Sequence, residues 1–191
     1  RWTRGTRRHG ICWRSIACFV NSKGDKTVRE ILLVRFGEVF LKGQNRPFFM
    51  KKLMDHIRQA VRPVNGRVWM SEGRFYVSDF TDMDECIRRV TRVFGVHSVS
   101  PAIEMDKDNF EAICEQAARM MEPLSGTFKV LARRSDKRYP LDSPAIMREA
   151  GGYILDHVPQ LTVDVNHPDH TMMIEIRDHA YLSVKRLPAV A

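Results

Sequence analysis

The chain has 191 residues and a mass of 22.2 kDa, which suits one domain of ordinary size or two small ones. With 43% apolar and 28% charged residues it is globular in composition, no stretch approaches the roughly 18 apolar residues of a spanning helix, and four cysteines without a CxxC pair argue against a disulfide scaffold, a zinc ribbon and a thioredoxin-type site. The formal charge of +8 is uneven: residues 1–27 carry +6 and the remainder only +2, so any basic surface on the folded part must be local.

Residues 1–27 are Arg-rich and acid-poor, and their one apolar run, residues 11–20, is broken by Arg14. That is not a clean secretory signal. It fits a transit peptide or a nucleic-acid-binding arm loosely and reads as a basic, disordered extension. Cys12 and Cys18 lie here; with Cys86 and Cys114 they read as free thiols in a reducing compartment.

From Val28 onward the pattern is regular. Residues 30–37, EILLVRFG, predict a buried strand ending in a glycine turn. Phe49, Leu53, Ile57 and Val61 recur at a spacing of four, the stripe of a helix with Asn45 as N-cap, Pro47 in its first turn and an end before Pro63. After Asn65-Gly66, residues 67–70 and 74–80 predict a hairpin across Glu72-Gly73. Asp82 and Glu85 read as a capping pair for a second helix with Ile87, Val90 and Phe94 inward, stopped by Gly95, and residues 96–103 form another strand. Strand, helix, strand, strand, helix, strand is the βαββαβ order of a ferredoxin-like unit.

A second unit follows. Asp108 and Glu111 predict the cap of a helix with Phe110, Ile113, Ala117 and Met120 as its stripe. Residues 127–132 form a strand, and Ser143 and Pro144 open a helix whose Gly151-Gly152 pair suggests close packing on a neighbour. Residues 161–165, 171–177 and 180–185 complete the unit as strands, the last two turning at Asp178-His179.

No motif for nucleotide binding, a nucleophile elbow or a zinc protease occurs, so no catalytic residue is assigned. Asp164, His167, Asp169 and His170 resemble a metal cluster but read as a short polar turn around Pro168, and no metal is assigned. Two features stand out. The junction of residues 35–46 places Arg35, Lys42 and Arg46 around a glycine-containing loop entering a helix, a phosphate-type arrangement or merely a turn with solvated cations. Residues 129–138 hold Lys129, Arg133, Arg134, Lys137 and Arg138 against Asp136, a balance of +4 between a strand end and a helix start, with Tyr139 available for stacking. A backbone-phosphate site has that composition, and Lys185-Arg186 could join it.

The segment EILLVRFGEVFLKGQNRPFF, with Arg35, Gly37, Glu38, Leu41, Lys42, Gly43, Asn45 and Arg46, resembles the opening of the tRNA 4-thiouridine synthetases, or tRNA sulfurtransferases. VFGVHSVSPA, FKVLARRSDKRYPLDS and PDHTMMIEIRDHAYLSV resemble that family's linker strand, the basic loop of its THUMP domain and the closing hairpin. The resemblance covers residues 28–188 in one register. It implies an α+β fold, a ferredoxin-like (βαββαβ) domain followed by an α/β THUMP domain, with expected boundaries of 28–83 and 84–188 and the last helix and strand of the first running to 103 if the ferredoxin-like unit is counted whole. It also implies tRNA binding at the acceptor end, through Lys129, Arg133, Arg134, Lys137 and Arg138 with Lys42 and Arg46 secondary. In the family a PP-loop domain follows, uses ATP and magnesium, and receives persulfide sulfur from a cysteine desulfurase. That domain's SGGxDS-type motif is absent from the 191 residues, so the chain alone is expected to bind tRNA without thiolating it and to hold no cofactor. A cytoplasmic location, a link to thiamine biosynthesis and a possible homodimer are family expectations. THUMP domains also accompany RNA methyltransferases, deaminases and pseudouridine synthases. A ferredoxin-like protein-interaction module without RNA is the reading from a different class.

Overall fold

The computed structural model describes residues 28–37, 46–184 and 186–189. The basic extension, Lys42, Gly43, Asn45 and Lys185 lie outside the described residues.

Strand β1 (Arg29–Phe36) buries four consecutive residues, Ile31 to Val34, so both its faces are covered. Helix α1 (Arg46–Val61) buries Leu53, Ile57 and Val61. Phe49, expected in the same stripe, is 42% exposed, while its neighbour Met50 packs against the core in its place. A 3₁₀ turn containing Pro63 ends the helix, and Asn65 takes a left-handed φ of 58°. Gly66 is required there: a Cβ would lie 2.8 Å from Val61 Cβ.

Strands β2 (Arg67–Ser71) and β3 (Arg74–Ser78) form the expected hairpin. Its two turn residues, Glu72 and Gly73, both have positive φ, 44° and 74°, which matches the right-handed strand twist. Helix α2 (Met83–Val90) starts at Asp82, whose carboxylate accepts the Glu85 N–H at 3.0 Å. The reciprocal half of the box is absent, since Glu85 pairs with Arg88 and Arg89 instead. Cys86 and Val90 face the core, but Phe94 is 83% exposed; α2 ends at Val90, and the turn after it no longer follows the helical period.

Strand β4 (Val96–Met105) leads to α3 (Phe110–Met121). The cap of α3 is Asn109, accepting the Ala112 N–H at 3.1 Å, rather than Asp108, which lies in the preceding turn. Strand β5 (Gly126–Arg134) runs two residues beyond its expected end. Helix α4 (Ser143–His157) is capped by Asp142, which accepts the Ala145 N–H at 2.8 Å; Ser143 is already helical. Asp142 wins because it, not Ser143, holds the extended backbone that a capping residue needs. The glycine pair of α4 shows no close approach: a Cβ on Gly151 would meet Val130 at an ordinary 3.8 Å, and Gly152 faces open space. Strands β6 (Leu161–Val163), β7 (His170–Ile176), β8 (Ala180–Ser183) and β9 (Leu187–Pro188) complete the chain.

The nine strands of the described residues share one sheet of order β2-β3-β1-β4-β8-β7-β5-β6, with β9 also on β4. Pairing is antiparallel except where β5 joins β6 and β7. β4 is the seam: it pairs with β1 of the first unit along its length and with β8 of the second through Ile103↔Leu182 and its neighbours. Register parity then fixes the layers. Leu32, Val34 and Val99 point to the same face as Ile103, Leu182 and Ile174. The first three pack with the buried residues of α1 and α2, the others with those of α3 and α4. Both helical layers therefore cover one face of the sheet. On the opposite face Ile31, Leu33 and Ala102 lie under a layer of Tyr76 and Tyr181, flanked by Trp69 with the Arg29 guanidinium 4.9 Å from its ring.

Candidate nucleic-acid interface

Strand alternation separates cations that are adjacent in sequence. Along β5, Phe128, Val130 and Ala132 face the helices, so Lys129, Leu131 and Arg133 point to the other face. The Lys129 ammonium donates to the Val165 carbonyl at 3.3 Å. Arg133 is exposed and makes no hydrogen bond or ion pair with any described residue.

Arg134 turns to the helix side, where Nη1 donates to the carbonyls of Lys137 (2.8 Å) and Tyr139 (3.2 Å). It thus shapes the loop that presents Lys137 and Arg138. Asp136 closes that loop from within. Its carboxyl is held down to about 2, chiefly by the Arg138 N–H, then by the Arg138 side chain, with Lys107 adding a further contact. Tyr139 is not available for stacking: it is 8% exposed, packs in the second core and donates its hydroxyl to the Lys107 carbonyl at 2.9 Å. Folding uses the ring as the loop's anchor. The product is a surface cavity of about 500 Å³ at the N-terminus of α4, lined by Arg134, Lys137, Pro140, Asp142 and Arg148 among others. Arg148 was missed by sequence reasoning; it lies one helical turn from Pro144, on the same side of α4.

The other junction divides differently from expectation. Arg46 opens α1 on the helical face, and Arg35 points to the opposite one, where Nη1 donates to Ser100 Oγ at 2.8 Å. There Arg35 meets Arg74, Arg133 and Arg186 around a second cavity, of about 170 Å³. The structure thus brings Arg134, Lys137 and Arg138 together, places Lys129 and Arg133 on the other face of the sheet, and leaves Arg46 in the first unit.

The polar turn of residues 164–170 is spoken for locally. Asp164 accepts the N–H groups of Asn166 and His167, Asp169 accepts from both the N–H and the hydroxyl of Thr127, and His170 Nε2 contacts the Ser125 carbonyl. Cys86 and Cys114 are unpaired and buried, and burial pushes their thiols up to about 12 and about 11, which suppresses thiolate chemistry. Among the described residues no glycine of positive φ leads into a helix, Gly73, Gly95 and Gly126 each leading into a strand, so none of them builds a glycine-rich phosphate loop of the kind that opens a helix. Among the described residues no helix is long and apolar enough to cross a membrane.

Comparison with known proteins assigns these units. The sequence model of the ThiI ferredoxin-like domain matches residues 31–100, and that of the THUMP domain matches residues 107–185. A probable tRNA sulfurtransferase of Acetivibrio thermocellus is 41% identical over 172 residues, which is 85% of this chain and 44% of the relative. Two crystal structures superpose with a TM-score of 0.74 over 84% of the chain. One is PH1313 from Pyrococcus horikoshii, 32% identical and covered to 55%. The other is a 4-thiouridine synthetase in complex with RNA and bound ATP, 27% identical and covered to 42%. The chain spans less than half the length of the curated relative. Through its ferredoxin-like and THUMP domains, in this order, the chain belongs to the tRNA sulfurtransferase family.

Proposed function

We propose that this chain is the tRNA-binding region of an enzyme that makes 4-thiouridine, and that it engages the acceptor end. The observation that carries the reading is the basic cavity at the N-terminus of α4. There Arg134 braces a loop that carries Lys137 and Arg138, beside Arg148 and a helix dipole, within a THUMP domain. Lys137 and Arg138 contact phosphates, Arg134 positions them, and Lys42 and Arg46 extend the contact, while Lys129 and Arg133, on the other face of the sheet, lie outside it. Exposed cations and a helix N-terminus favour phosphate and shape over base edges, so base readout is slight. The related synthetase whose structure contains RNA supports the substrate class.

Uridine activation with ATP and magnesium and delivery of persulfide sulfur from a cysteine desulfurase are assigned to a PP-loop region outside these 191 residues. Homodimerisation, a cytoplasmic location and a role in thiamine biosynthesis belong to the same reading.

Binding of total tRNA across a salt series, beside tRNA lacking its terminal single-stranded nucleotides, tests it. Lys137→Gln and Arg138→Gln each remove one cation from a phosphate and should each lower the salt slope by about one unit. Unchanged affinity and slope in the double variant would remove the loop from the interface. Equal affinity for the two tRNAs would remove the acceptor end as the target.

A further inference from the structure

The cavity on the sheet face opposite the helices is not part of the α4 loop site. Four guanidinium groups line it: Arg35 from β1, Arg74 from β3, Arg133 from β5 and Arg186 from the break between β8 and β9. Two come from the ferredoxin-like domain and two from the second unit, so the site exists only because the units share a sheet. Two of the four are fixed by serines that are 1% exposed: Ser100 Oγ accepts from Arg35 at 2.8 Å, and Ser98 Oγ accepts from Arg186 at 2.9 Å. The one carboxylate in the lining, Glu175, is already committed: a single oxygen accepts from both Arg74 (2.6 Å) and Arg177 (3.1 Å). Arg133, directly opposite Glu175 in register, has no partner of its own among the described residues.

Gathering four guanidinium groups around about 170 Å³ with one engaged carboxylate is unfavourable unless an anion joins them. The Arg35 guanidinium registers that cost. Burial first, and then the charges of Arg74, Arg186 and Arg133 against a restoring Glu175, depress it to about 10. It stays charged at neutral pH. The volume is that of about five or six waters, enough for one tetrahedral oxyanion and too small for a base with its sugar.

We propose that Arg35, Arg74, Arg133 and Arg186 form a binding site for a single phosphate group, bridging the two domains on the face of the sheet opposite the helices. The phosphate is either a phosphodiester of bound RNA or a free anion; the chemistry of the site is the same. The proposal goes beyond the acceptor-end reading and does not depend on it.

The probe is inorganic phosphate at constant ionic strength, followed by calorimetry and by the shift in melting temperature of the whole chain. Saturable binding to the wild type is expected, weakened roughly tenfold in Arg133→Gln, an exposed position whose loss should spare the fold. Arg58→Gln, on α1 and paired among the described residues with Asp55, removes the same charge elsewhere and should leave phosphate binding intact. Absence of saturable binding in the wild type overturns the proposal, as does an equal loss in Arg58→Gln, or binding retained in both Arg133→Gln and Arg35→Lys. The source is read from tRNA. If Arg133→Gln also weakens tRNA and phosphate competes with tRNA better than chloride does, the occupant is a phosphodiester. If phosphate binding is lost while tRNA affinity is unchanged, it is a free anion. Failure of tRNA binding altogether would sink the acceptor-end reading and leave this site standing.

Discussion

Glu175→Gln should be among the most destabilising single changes in the chain that leave its shape nearly intact. Glu175 is 3% exposed and sits between Arg74 of the first unit and Arg177 of the second, whose side chains are each 16% exposed. Burial works to raise its carboxyl, and the hydrogen bond and charge of Arg74, with those of Arg177, outweigh that and hold it low. A unit-charge pair about 4 Å apart is worth about 4 kcal/mol at an effective dielectric of about 20. Removing one partner of a buried pair costs about 3–5 kcal/mol, because the other is left uncompensated. Arg177 keeps Glu72, and glutamine keeps an acceptor, so the lower end applies, about 3 kcal/mol. For a chain of this size that is a fall in Tm of about 6–12 °C, read by circular dichroism or calorimetry at pH 7. The sign with pH follows. The folded carboxyl titrates below its unfolded value, so its contribution is complete above about 4.3 and is lost as pH falls through the folded pKa. The gap between wild type and Glu175→Gln should close as the pH falls below about 4. A variant melting within about 2 °C of wild type at pH 7, or a gap that widens in acid, would refute the view that this carboxylate joins the two units.

Other consequences are more local. Asp142→Ala should cost about 1 kcal/mol by uncapping α4, and in tRNA titrations it should weaken binding less than Lys137→Gln. Tyr139→Phe should lose about 1 kcal/mol with the bond to the Lys107 carbonyl, measured by urea unfolding, without altering the salt slope, because the ring is an anchor and not a stacking surface. Cys86 and Cys114 should stay unmodified by iodoacetamide at pH 8 in the native chain and react at once in denaturant, read site by site by mass spectrometry.

Local pattern carried the secondary structure. The buried run of β1, the spacing of Leu53, Ile57 and Val61, and Glu72-Gly73 each admit one element type, and each folds as that type. At two helix starts the pattern placed the cap one residue away from where it falls, at Asp108 instead of Asn109 and at Ser143 instead of Asp142. Backbone angle decides, and it is set by where the preceding strand or loop delivers the chain. The charge of residues 129–138 was equally legible, but not its division, because strand alternation sends Arg133 and Arg134 to opposite faces. Tyr139 looked like a stacking ring because sequence shows a residue's type and not its burial. The meeting of Arg35, Arg74, Arg133 and Arg186 could not be read at all. It depends on β4 pairing with both β1 and β8, a register between segments far apart in the chain.

That seam has a consequence for where the folding units end. The THUMP match begins at residue 107, yet Ile103 and Met105 of β4 are 2% and 5% exposed within the second core, against Ile174, Leu182 and the buried faces of α3 and α4. A fragment starting at residue 107 loses both side chains and strips β8 of one of its two ladder partners, leaving only β7. Losing a buried Ile or Met side chain typically costs about 2–5 kcal/mol, so the two together take a large share of a domain's usual 5–15 kcal/mol. Such a fragment should melt without cooperativity or associate through the bared strand edge. A fragment starting at residue 96 keeps β4, and should show a cooperative melt and dispersed amide resonances. Equal, cooperative melting of the two fragments would mean that β4 is dispensable to the second core. If instead only the longer one folds, the second folding unit extends past the limits of its domain match, and the seam strand serves both units at once.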